Sequence, residues 1–472
     1  MKFFGVVLFL LAAFSAAFSQ STIKKISVPP QFQPLFDTNR TVTIDDRFDI
    51  SLYYIGSLKR PRFMAMGPNN VLYVADMNNH GVFALKDTNG DGIADTAVDV
   101  IPSVDTVHSL AFYRQYLYAA EPSRIRRFED KDGDGFYETE TPFISGIGAA
   151  GPYNHFTRTI YIDSTEGYIY LGVGASCNAC RESDSERASV LRFNLDGSER
   201  MVFASGLRNA LGVTKGPFGD IWVTNADRDN LGDYVPPEII THIHQGGFYG
   251  WPFAYGDKQY IDFTKGQEFQ SLLPLTATDT ARIESMDVAD IFLPAHSTPM
   301  EILNYQNGAN IFNKPTFLVA IHGSSPGGKP IATGYKVISA QYNFTSKQWN
   351  TSDFITGFLT DTINYTYWGR PCGLAEDSLN NVVYLSCDIG TPAIFKITRS
   401  KNNSVPVPKL EKPLCGYPNP AHGSVSINIP ISVSATIDLF DVLGRTVSHS
   451  MHRNNESITI DMQSCEGKII YC

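Results

Sequence analysis

Six short runs of aromatic and β-branched residues recur along this chain, and their spacing limits its fold more than any other feature. They are VLYVAD at 71, YLYAAE at 116, YIYLGV at 168, DIWVTN at 220, TFLVAI at 316 and VVYLSC at 382. Most follow a turn with Gly or Asn and precede a second apolar run, as the strands of a β-meander do. Repetition at roughly 40 to 50 residues is typical of propeller blades, whose small sheets bury their faces only against neighbours. We therefore predict an all-β fold, a six-bladed β-propeller over residues 40–400.

The gap between the fourth and fifth runs is wider than the others. It leaves room for an insertion at residues 245–295, which begins with HQGGFYGWPFAYG and continues as a polar loop. Insertions on one face of a repeat protein commonly line its binding site. We expect this insertion to border the functional face.

Two acidic, glycine-rich segments, DTNGDGIAD and DKDGDGFYE, follow equivalent strands of the first two predicted blades. Their acidic and amide residues have the 1, 3, 5, 9 spacing of a calcium loop, and these are Asp87, Asn89, Asp91 and Asp95, then Asp130, Asp132, Asp134 and Glu138. Position 12, where such loops carry a bidentate Glu, is Val98 in one and Thr141 in the other. The segments are therefore either weak calcium sites or plain turns.

The net charge argues against nucleic-acid binding, and the N-terminal residues indicate export. The net charge is −10 with only 18% charged residues, so no basic stripe could neutralise a nucleic acid. Residues 1–20 combine a basic start, an apolar run and small residues, which predicts a signal peptide and a secreted or cell-surface protein. No later run reaches the roughly 18 apolar residues of a spanning helix, so we expect no transmembrane segment.

The seven cysteines are compatible with disulfides in an exported chain. Cys372 and Cys387 flank a predicted hairpin, and a cross-strand disulfide between them is our first expectation. Cys177 and Cys180 form CNAC without a following His, which argues against covalent haem attachment. A structural or disulfide role for this pair is favoured over half of a zinc site.

A polar, proline-bearing linker is predicted at residues 401–415. Beyond it, residues 416–472 alternate apolar and polar positions as a small β-sandwich would. The motifs YPNPA and DLFDVLGRTV resemble the C-terminal sorting domain of Bacteroidetes type IX secretion substrates. This resemblance implies the secretion machinery as a partner.

The stretch from Ser205 to Gly256 is richer in polar, glycine and aromatic residues than a bare blade requires. Arg208 and Asn209 precede a strand, where we expect them to face the central channel, although an Arg that braces two blades would look the same. The following loop, ADRDNLGDYVPPE, offers oxygen ligands for a hard cation or is simply a solvated acidic loop. Its candidate ligands are Asp227, Asp229, Asp233 and Glu238.

His155 precedes the inner strand of the third predicted blade, where a neutral imidazole could act as a general base. A packing histidine is the alternative. Other cationic or imidazole side chains occupy the corresponding strand starts of other blades, and these are His108, His296, His322, Lys329 and Arg370. We predict that they converge on one mouth of the channel.

Several motifs in order resemble the soluble glucose/sorbosone dehydrogenases, which are six-bladed propellers that use pyrroloquinoline quinone (PQQ) and calcium. The matching segments include HFTRTIYID, YLGVGASCNAC, SGLRNALGV, RDNLGDYVPPE, GGFYGWP and GRPCGLA, within about residues 50–398. The run from SGLRN to YGWP is the most specific part.

The resemblance implies roles for particular residues. His155 corresponds to the catalytic base, Arg208 and Asn209 to a cofactor-contacting pair, and Arg370 to a cationic cofactor contact. Arg208 would also stabilise charge on the quinone oxygen, and the backbone at Ala226 and Asp227 would bind calcium. His108, His322 and Lys329 complete the predicted cofactor contacts, Lys329 lying in HGSSPGGK where many relatives read HGSWNR.

We therefore expect a secreted, PQQ- and calcium-dependent dehydrogenase that oxidises an aldose or related sugar and passes electrons to a separate acceptor. Two alternatives remain open at the level of sequence. One is a propeller that binds a glycan or protein without catalysis, and the other is a calcium-assisted, lactonase-like hydrolase.

Overall fold

A computed structural model describes residues 21–148, 155–306, 311–325 and 332–400, together with the backbone of six strands beyond residue 415. The predicted signal peptide, the predicted linker and Lys329 lie outside the described residues. Among the described residues, no helix has both the length and the apolar character needed to cross a membrane.

Six small antiparallel sheets surround a central axis, and the innermost strand of each contacts the innermost strands of its two neighbours. The fold is therefore the predicted all-β, six-bladed propeller. Each of the six aromatic and β-branched runs forms the second strand from the axis, where both faces of the sheet are covered by neighbouring blades.

The first three blades follow the chain from the axis outwards without interruption. The first contains Pro61–Met66, Leu72–Asp76, Gly81–Lys86 and Thr96–Pro102. The second contains Ser109–Tyr113, Tyr116–Glu121, Arg124–Glu129 and Thr139–Ser145. The third contains Arg158–Asp163, Tyr168–Val173, Ser189–Asn194 and Met201–Ser205.

The last three blades include segments beyond a simple four-strand repeat. The fourth contains Ala210–Lys215, Ile221–Asn225, Glu238–Ile243 and Ile291–Leu293. The fifth contains Pro299–Asn304, Thr316–Ile321, Lys336–Asn343 and Gln348–Thr356, extended at its outer edge by Thr41–Asp45 and Ser21–Lys25. The sixth contains Gly369–Asp377, Val382–Gly390 and Ala393–Arg399, and its outermost strand is Phe48–Tyr54.

The ring is closed by pairing the two ends of the propeller. Phe48–Tyr54 runs antiparallel to Ala393–Arg399, with Phe48 opposite Arg399. The sixth sheet is therefore built from both ends of the domain, since the segment that precedes the first blade is hydrogen-bonded into the last.

The insertion lies within the fourth blade, before its outermost strand, and not between two blades. It contains three short strands and two helices, which are Gly247–Phe248, Ala254–Tyr255, Gln259–Tyr260, Gln267–Gln270 and Ala277–Glu284. Phe253, Phe269 and Ile283 give it an apolar cluster of its own. Gly247–Phe248 also pairs with the outer strand of the third blade, which ties the insertion to two blades.

Smaller elements complete the described part of the propeller. Pro30–Phe32 and Pro68–Asn70 are single 3₁₀ turns, and Leu359–Asp361 pairs with Thr366–Tyr367 before the sixth blade.

The predicted disulfide between Cys372 and Cys387 is wrong. Both thiols are buried and unbonded. Cys387 lies opposite Pro371 in the hairpin, and the register shifts between Pro371 and Leu374, so the two cysteines are not directly opposite each other. The disulfide in the described residues joins Cys177 to Cys180, in line with the role favoured for CNAC.

Beyond the predicted linker, the chain forms a four-stranded sheet of Gly416–Tyr417, Ser424–Asn428, Ser457–Asp461 and Ser450–Arg453. Phe440–Asp441 pairs with Ile470–Tyr471. These strands agree with a small β domain, and its sandwich arrangement stays a prediction.

Neighbouring inner strands approach so closely that some positions exclude a side chain. A Cβ atom at Gly212 would lie 2.5 Å from the Met300 carbonyl oxygen and 2.8 Å from the Ile302 nitrogen. At Gly373 it would lie 2.4 Å from the Arg62 carbonyl oxygen. Glycine at these positions sets the spacing between blades near the axis.

We predict that Gly212→Ala lowers the free energy of unfolding by about 1–3 kcal/mol, because the added methyl meets the backbone of the fifth blade. Chemical denaturation measures this. Gly266→Ala is the control, since its nearest neighbour would be a Phe269 carbon at 3.9 Å. Equal stability of the two variants would contradict the close approach.

Candidate active site

One mouth of the channel collects polar side chains from the starts of the inner strands and the ends of the second strands. Two hydrogen-bonded networks meet there. The first joins the third and fourth blades around His155, and the second joins the first, second, fifth and sixth blades around Asp388.

His155 lies three residues before the inner strand of the third blade, and its Nδ1 is 2.8 Å from the Ala175 carbonyl oxygen. Because a carbonyl oxygen can only accept, Nδ1 carries the proton and Nε2 keeps its lone pair. Burial, followed by the charge of Arg208, lowers the pKa of His155 to about 3. The imidazole is therefore neutral at physiological pH, with its basic nitrogen directed by the hydrogen bond at the other.

Gly174 brings His155 and Asn209 together. A Cβ atom there would lie 2.4 Å from the His155 Cβ and 2.5 Å from the Asn209 Oδ1. Asn209 is fixed by Thr157, whose hydroxyl donates to Oδ1 at 3.3 Å, and by its own backbone N–H, which donates to Asn225. The third and fourth blades thus meet without a side chain between them.

Arg208 is buried, with 8% of its surface exposed, and its guanidinium is held at three points. Nε donates to the Asn178 carbonyl oxygen at 3.2 Å and Nη1 to the Asp227 carbonyl oxygen at 2.7 Å. The Asp229 carboxylate lies 3.6 Å from Nη2. These contacts fix a cation close enough to His155 to depress its pKa.

Three of the predicted calcium ligands in this region, Ala226, Asp227 and Glu238, lie together. The Ala226 N–H donates to the Asn209 carbonyl oxygen, and the Asp227 N–H donates to the Glu238 carboxylate. Burial, together with the nearby charge of Asp227, raises the pKa of Glu238 to about 8. Asp233 is exposed on the loop and does not join them.

The second network centres on the buried Asp388. Its carboxylate accepts from Arg62, from Arg60 at 3.4 Å and from the His322 Nε2 at 2.7 Å. Burial alone would raise the pKa of Asp388, but these contacts lower it far below the ordinary range. Burial lowers the pKa of His322 to about 4, so a neutral imidazole donates to an ionised carboxylate.

His108 carries a fully buried donor within this network. Arg62 Nε donates to its Nδ1 at 3.2 Å, so the proton of the neutral ring is on Nε2. Nε2 is buried and has no hydrogen-bond partner among the described residues. A buried N–H without an acceptor is costly, and a ligand with an acceptor oxygen would satisfy it.

Arg370 and His296 border the same mouth. Arg370 donates to the His322 carbonyl oxygen at 3.0 Å, and its guanidinium lies over the Tyr335 ring at 5.1 Å. His296 lies 2.9 Å from the Gly232 carbonyl oxygen and 3.2 Å from the Asp229 carboxylate. Arg370 thus joins the network around Asp388 and His296 joins Asp229 beside Arg208, while their convergence on one cofactor-binding mouth stays a prediction.

The two acidic loops lie elsewhere, between the third and outermost strands of the first two blades. In the first, the Asp87 carboxylate accepts from the N–H groups of Gly90 and Gly92, and Asp95 accepts from Thr88. In the second, Asp130 accepts from Gly133 and Gly135. Backbone donors therefore occupy the first carboxylate of each loop, as in a turn.

Two groups of described His, Cys, Asp or Glu side chains are close enough to share a metal ion. One is Asp130, Asp132 and Glu138 of the second acidic loop. The other contains Cys177 and Cys180, which are joined as a disulfide, with Glu182. The calcium assignments, including those at Asn89, Asp91 and Asp134, stay predictions.

Arg62, Asp388 and Asn178 were not predicted from the sequence as site residues. A signal for Asp388 was present, because the runs VLYVAD and YLYAAE end in an acid and VVYLSC is followed directly by Asp388. Asn178 lies within the CNAC motif, which was interpreted only through its two cysteines. Arg62 carried no signal beyond its place at a strand start.

Comparisons with known proteins agree with this architecture. Residues 44–400 match the family model described as TrAA12-like, and residues 416–467 match the secretion system C-terminal sorting domain. Among curated protein sequences, none matches the chain significantly.

Three solved structures illustrate the likeness of fold. The PQQ domain of pyranose dehydrogenase from Coprinopsis cinerea has a TM-score of 0.62 at 22% identity, covering 79% of this chain and 100% of that one. A calcium structure of the family AA12 protein from Trichoderma reesei has 0.63 at 19%, covering 76% and 97%. The soluble aldose sugar dehydrogenase from Escherichia coli has 0.55 at 12%, covering 75% and 100%.

We predict that Asp388→Asn lowers the free energy of unfolding by about 3–5 kcal/mol, because it leaves Arg62 buried without its counter-charge. The folded-state pKa of Asp388 is lowered, so this stabilisation is present above its ordinary value of 3.8 and is lost as the pH falls further. Denaturation of both proteins near neutral pH measures the difference.

Asp353→Asn is the matched control, since Asp353 pairs with Lys336 at the surface and is 54% exposed. It should cost less than about 1 kcal/mol. A cost for Asp388→Asn as small as that of the control would contradict the structural role of the second network.

Proposed function

The chain belongs to the TrAA12-like family over residues 44–400, and from this premise we propose that it is an exported dehydrogenase that oxidises an aldose or related sugar with PQQ and calcium. The observation that carries the proposal is His155, a neutral imidazole with a directed Nε2 beside the buried cation of Arg208. A general base and a charge-stabilising group side by side are what oxidation of a hydroxyl requires.

The residues at the mouth suit a flat, tricarboxylate quinone. Arg60, Arg62, Arg208 and Arg370 supply guanidinium groups, which pair well with carboxylates. The buried His108 Nε2–H needs an acceptor. These groups, with Asn209 and His322, are the residues that we propose hold the cofactor, and Lys329 remains a further proposed contact.

Bound PQQ would supply the redox chemistry by accepting a hydride from the sugar. The protein's part begins at the His155 Nε2, which takes the proton of the substrate hydroxyl. The Ala175 carbonyl oxygen keeps Nδ1–H in place and stabilises the imidazolium that forms. Arg208, a buried cation, would stabilise negative charge on the bound cofactor.

Calcium is proposed to bind at the backbone of Ala226 and Asp227, with Glu238 beside it. A divalent cation would favour the ionised form of Glu238, whose raised pKa reflects burial. A calcium ion there would act as a Lewis acid on a quinone carbonyl.

The similar proteins support the same activity, since one is a pyranose dehydrogenase PQQ domain and another an aldose sugar dehydrogenase. The match to a sorting domain over residues 416–467 supports export to the surface or medium. We propose the domain order signal peptide at 1–20, propeller at 40–400, linker at 401–415 and sorting domain at 416–472. No observation favours the hydrolase or the glycan-binding alternative over oxidation.

The test is titration of PQQ into the calcium-loaded protein, followed by its absorbance, and then a panel of aldoses with a dye acceptor. We expect saturable binding and sugar-dependent dye reduction. His155→Ala should lower the rate by about 10²–10⁴-fold with the cofactor still bound.

His244→Ala is the matched control, because His244 is an exposed histidine that pairs with Asp287 outside both networks. It should retain the wild-type rate. Absence of cofactor binding in the wild-type protein would overturn the proposal.

The pH dependence offers a separate prediction. Because the pKa of His155 is lowered to about 3, the base stays unprotonated as the pH falls through 6.5, the ordinary value for histidine. We expect kcat/KM to remain level through that range and to decline only in more acidic solution. An acid limb centred near 6.5, with circular dichroism unchanged, would contradict His155 as the base.

A further inference from the structure

We propose that the disulfide-closed loop Cys177–Cys180 positions both His155 and Arg208, through Ala175 and Asn178. The catalytic meaning of this positioning rests on the proposed function, whereas the positioning itself does not. The loop follows the second strand of the third blade, Tyr168–Val173, and its hydrogen bonds reach Arg208 and Asp229 of the fourth blade.

The segment reaches each of the two residues by a different group. The Ala175 carbonyl oxygen accepts from the His155 Nδ1 at 2.8 Å, and the Ala175 N–H donates to the Arg208 carbonyl oxygen at 2.7 Å. Three residues on, the Asn178 carbonyl oxygen accepts from the Arg208 Nε at 3.2 Å. The orientation of the base and that of the cation therefore depend on one short stretch of backbone.

Asn178 is anchored on every polar atom of its side chain. Nδ2 donates to the Asp229 carbonyl oxygen and to the Glu268 carboxylate, each at 3.0 Å, while Oδ1 accepts from the Asp229 N–H at 2.8 Å. Its carbonyl oxygen also accepts from the Trp251 Nε1 at 3.0 Å. The loop is thus fastened to the insertion and to the segment that carries Asp229, which pairs with Arg208.

The disulfide limits the conformations that Asn178 can adopt. Cys177 and Cys180 close the loop on either side of it and pack against Ala175, Ala188 and Trp251. A preorganised carbonyl holds the guanidinium without an entropic cost at each turnover. Without the bond, only hydrogen bonds such as those of Asn178 and Ser176 would order the loop.

Two variants separate the effect of the disulfide from that of the Asn178 side chain. Cys177→Ser/Cys180→Ser opens the loop and keeps Asn178, whereas Asn178→Ala keeps the disulfide and removes the side-chain anchors. Glu182→Gln is the control, because Glu182 accepts from Ser176 in the same segment but has no hydrogen bond to His155, Arg208 or Asn178.

The first measurement is hydrogen–deuterium exchange of the full chain without cofactor. In both test variants, peptides containing the Ala175 and Asp229 amides should exchange faster than in the wild type, while the strand Leu72–Asp76 of the first blade stays protected. Wild-type exchange at both amides in the two test variants would overturn the positioning role, whether or not the protein proves to be a dehydrogenase.

The second measurement is dye reduction at saturating PQQ and calcium. Displacement of a catalytic group by about 1 Å can cost about 100-fold, so kcat should fall by roughly 10- to 100-fold in both test variants. The KM for the sugar should change less than about twofold, and Glu182→Gln should keep the wild-type kcat. A rise in KM at constant kcat in both test variants would overturn the proposal, since the loop would then serve substrate binding and not the positioning of Arg208 and His155.

Discussion

Closure of the ring is the interaction on which the rest of the structure depends. The pairing of Phe48–Tyr54 with Ala393–Arg399 joins the two ends of the propeller, and so fixes the first blade against the sixth. Arg62 and Asp388 face each other across that join although 326 positions separate them in sequence. A buried ion pair needs good geometry to offset its desolvation, and here the geometry is supplied by backbone hydrogen bonds far from the mouth.

The fold could be predicted because its signals are local and repeated. Each of the six runs carries an aromatic or β-branched core between turns, so that periodicity alone indicates blade number. Three features depend instead on pairing between distant segments. They are the closure of the ring by an N-terminal strand, the two strands added to the fifth blade, and the insertion within the fourth blade. A single sequence shows little of such pairing. The wider gap after DIWVTN indicated that an insertion exists, but not that it lies inside the fourth blade before its outermost strand.

The site was predictable where a residue type stood at a repeated position, as with His108, His155, Arg208 and His322. The site was not predictable where backbone carbonyl groups orient the side chains. The carbonyl oxygens of Ala175, Asn178 and Asp227 orient His155 and Arg208, and any residue offers a carbonyl. The error at Cys372 and Cys387 has a similar origin, since flanking a hairpin does not fix the register that decides which side chains meet.

The insertion and Arg208 share one hydrogen-bond acceptor. Trp251 of the insertion and Arg208 of the fourth blade both donate to the Asn178 carbonyl oxygen. A carbonyl has two lone pairs, so both donors are satisfied only when the insertion and the guanidinium are in register. The position of Trp251 and that of the Arg208 guanidinium are therefore linked through this shared acceptor. A segment that borders the mouth can in this way influence the chemistry without contacting the reacting atoms.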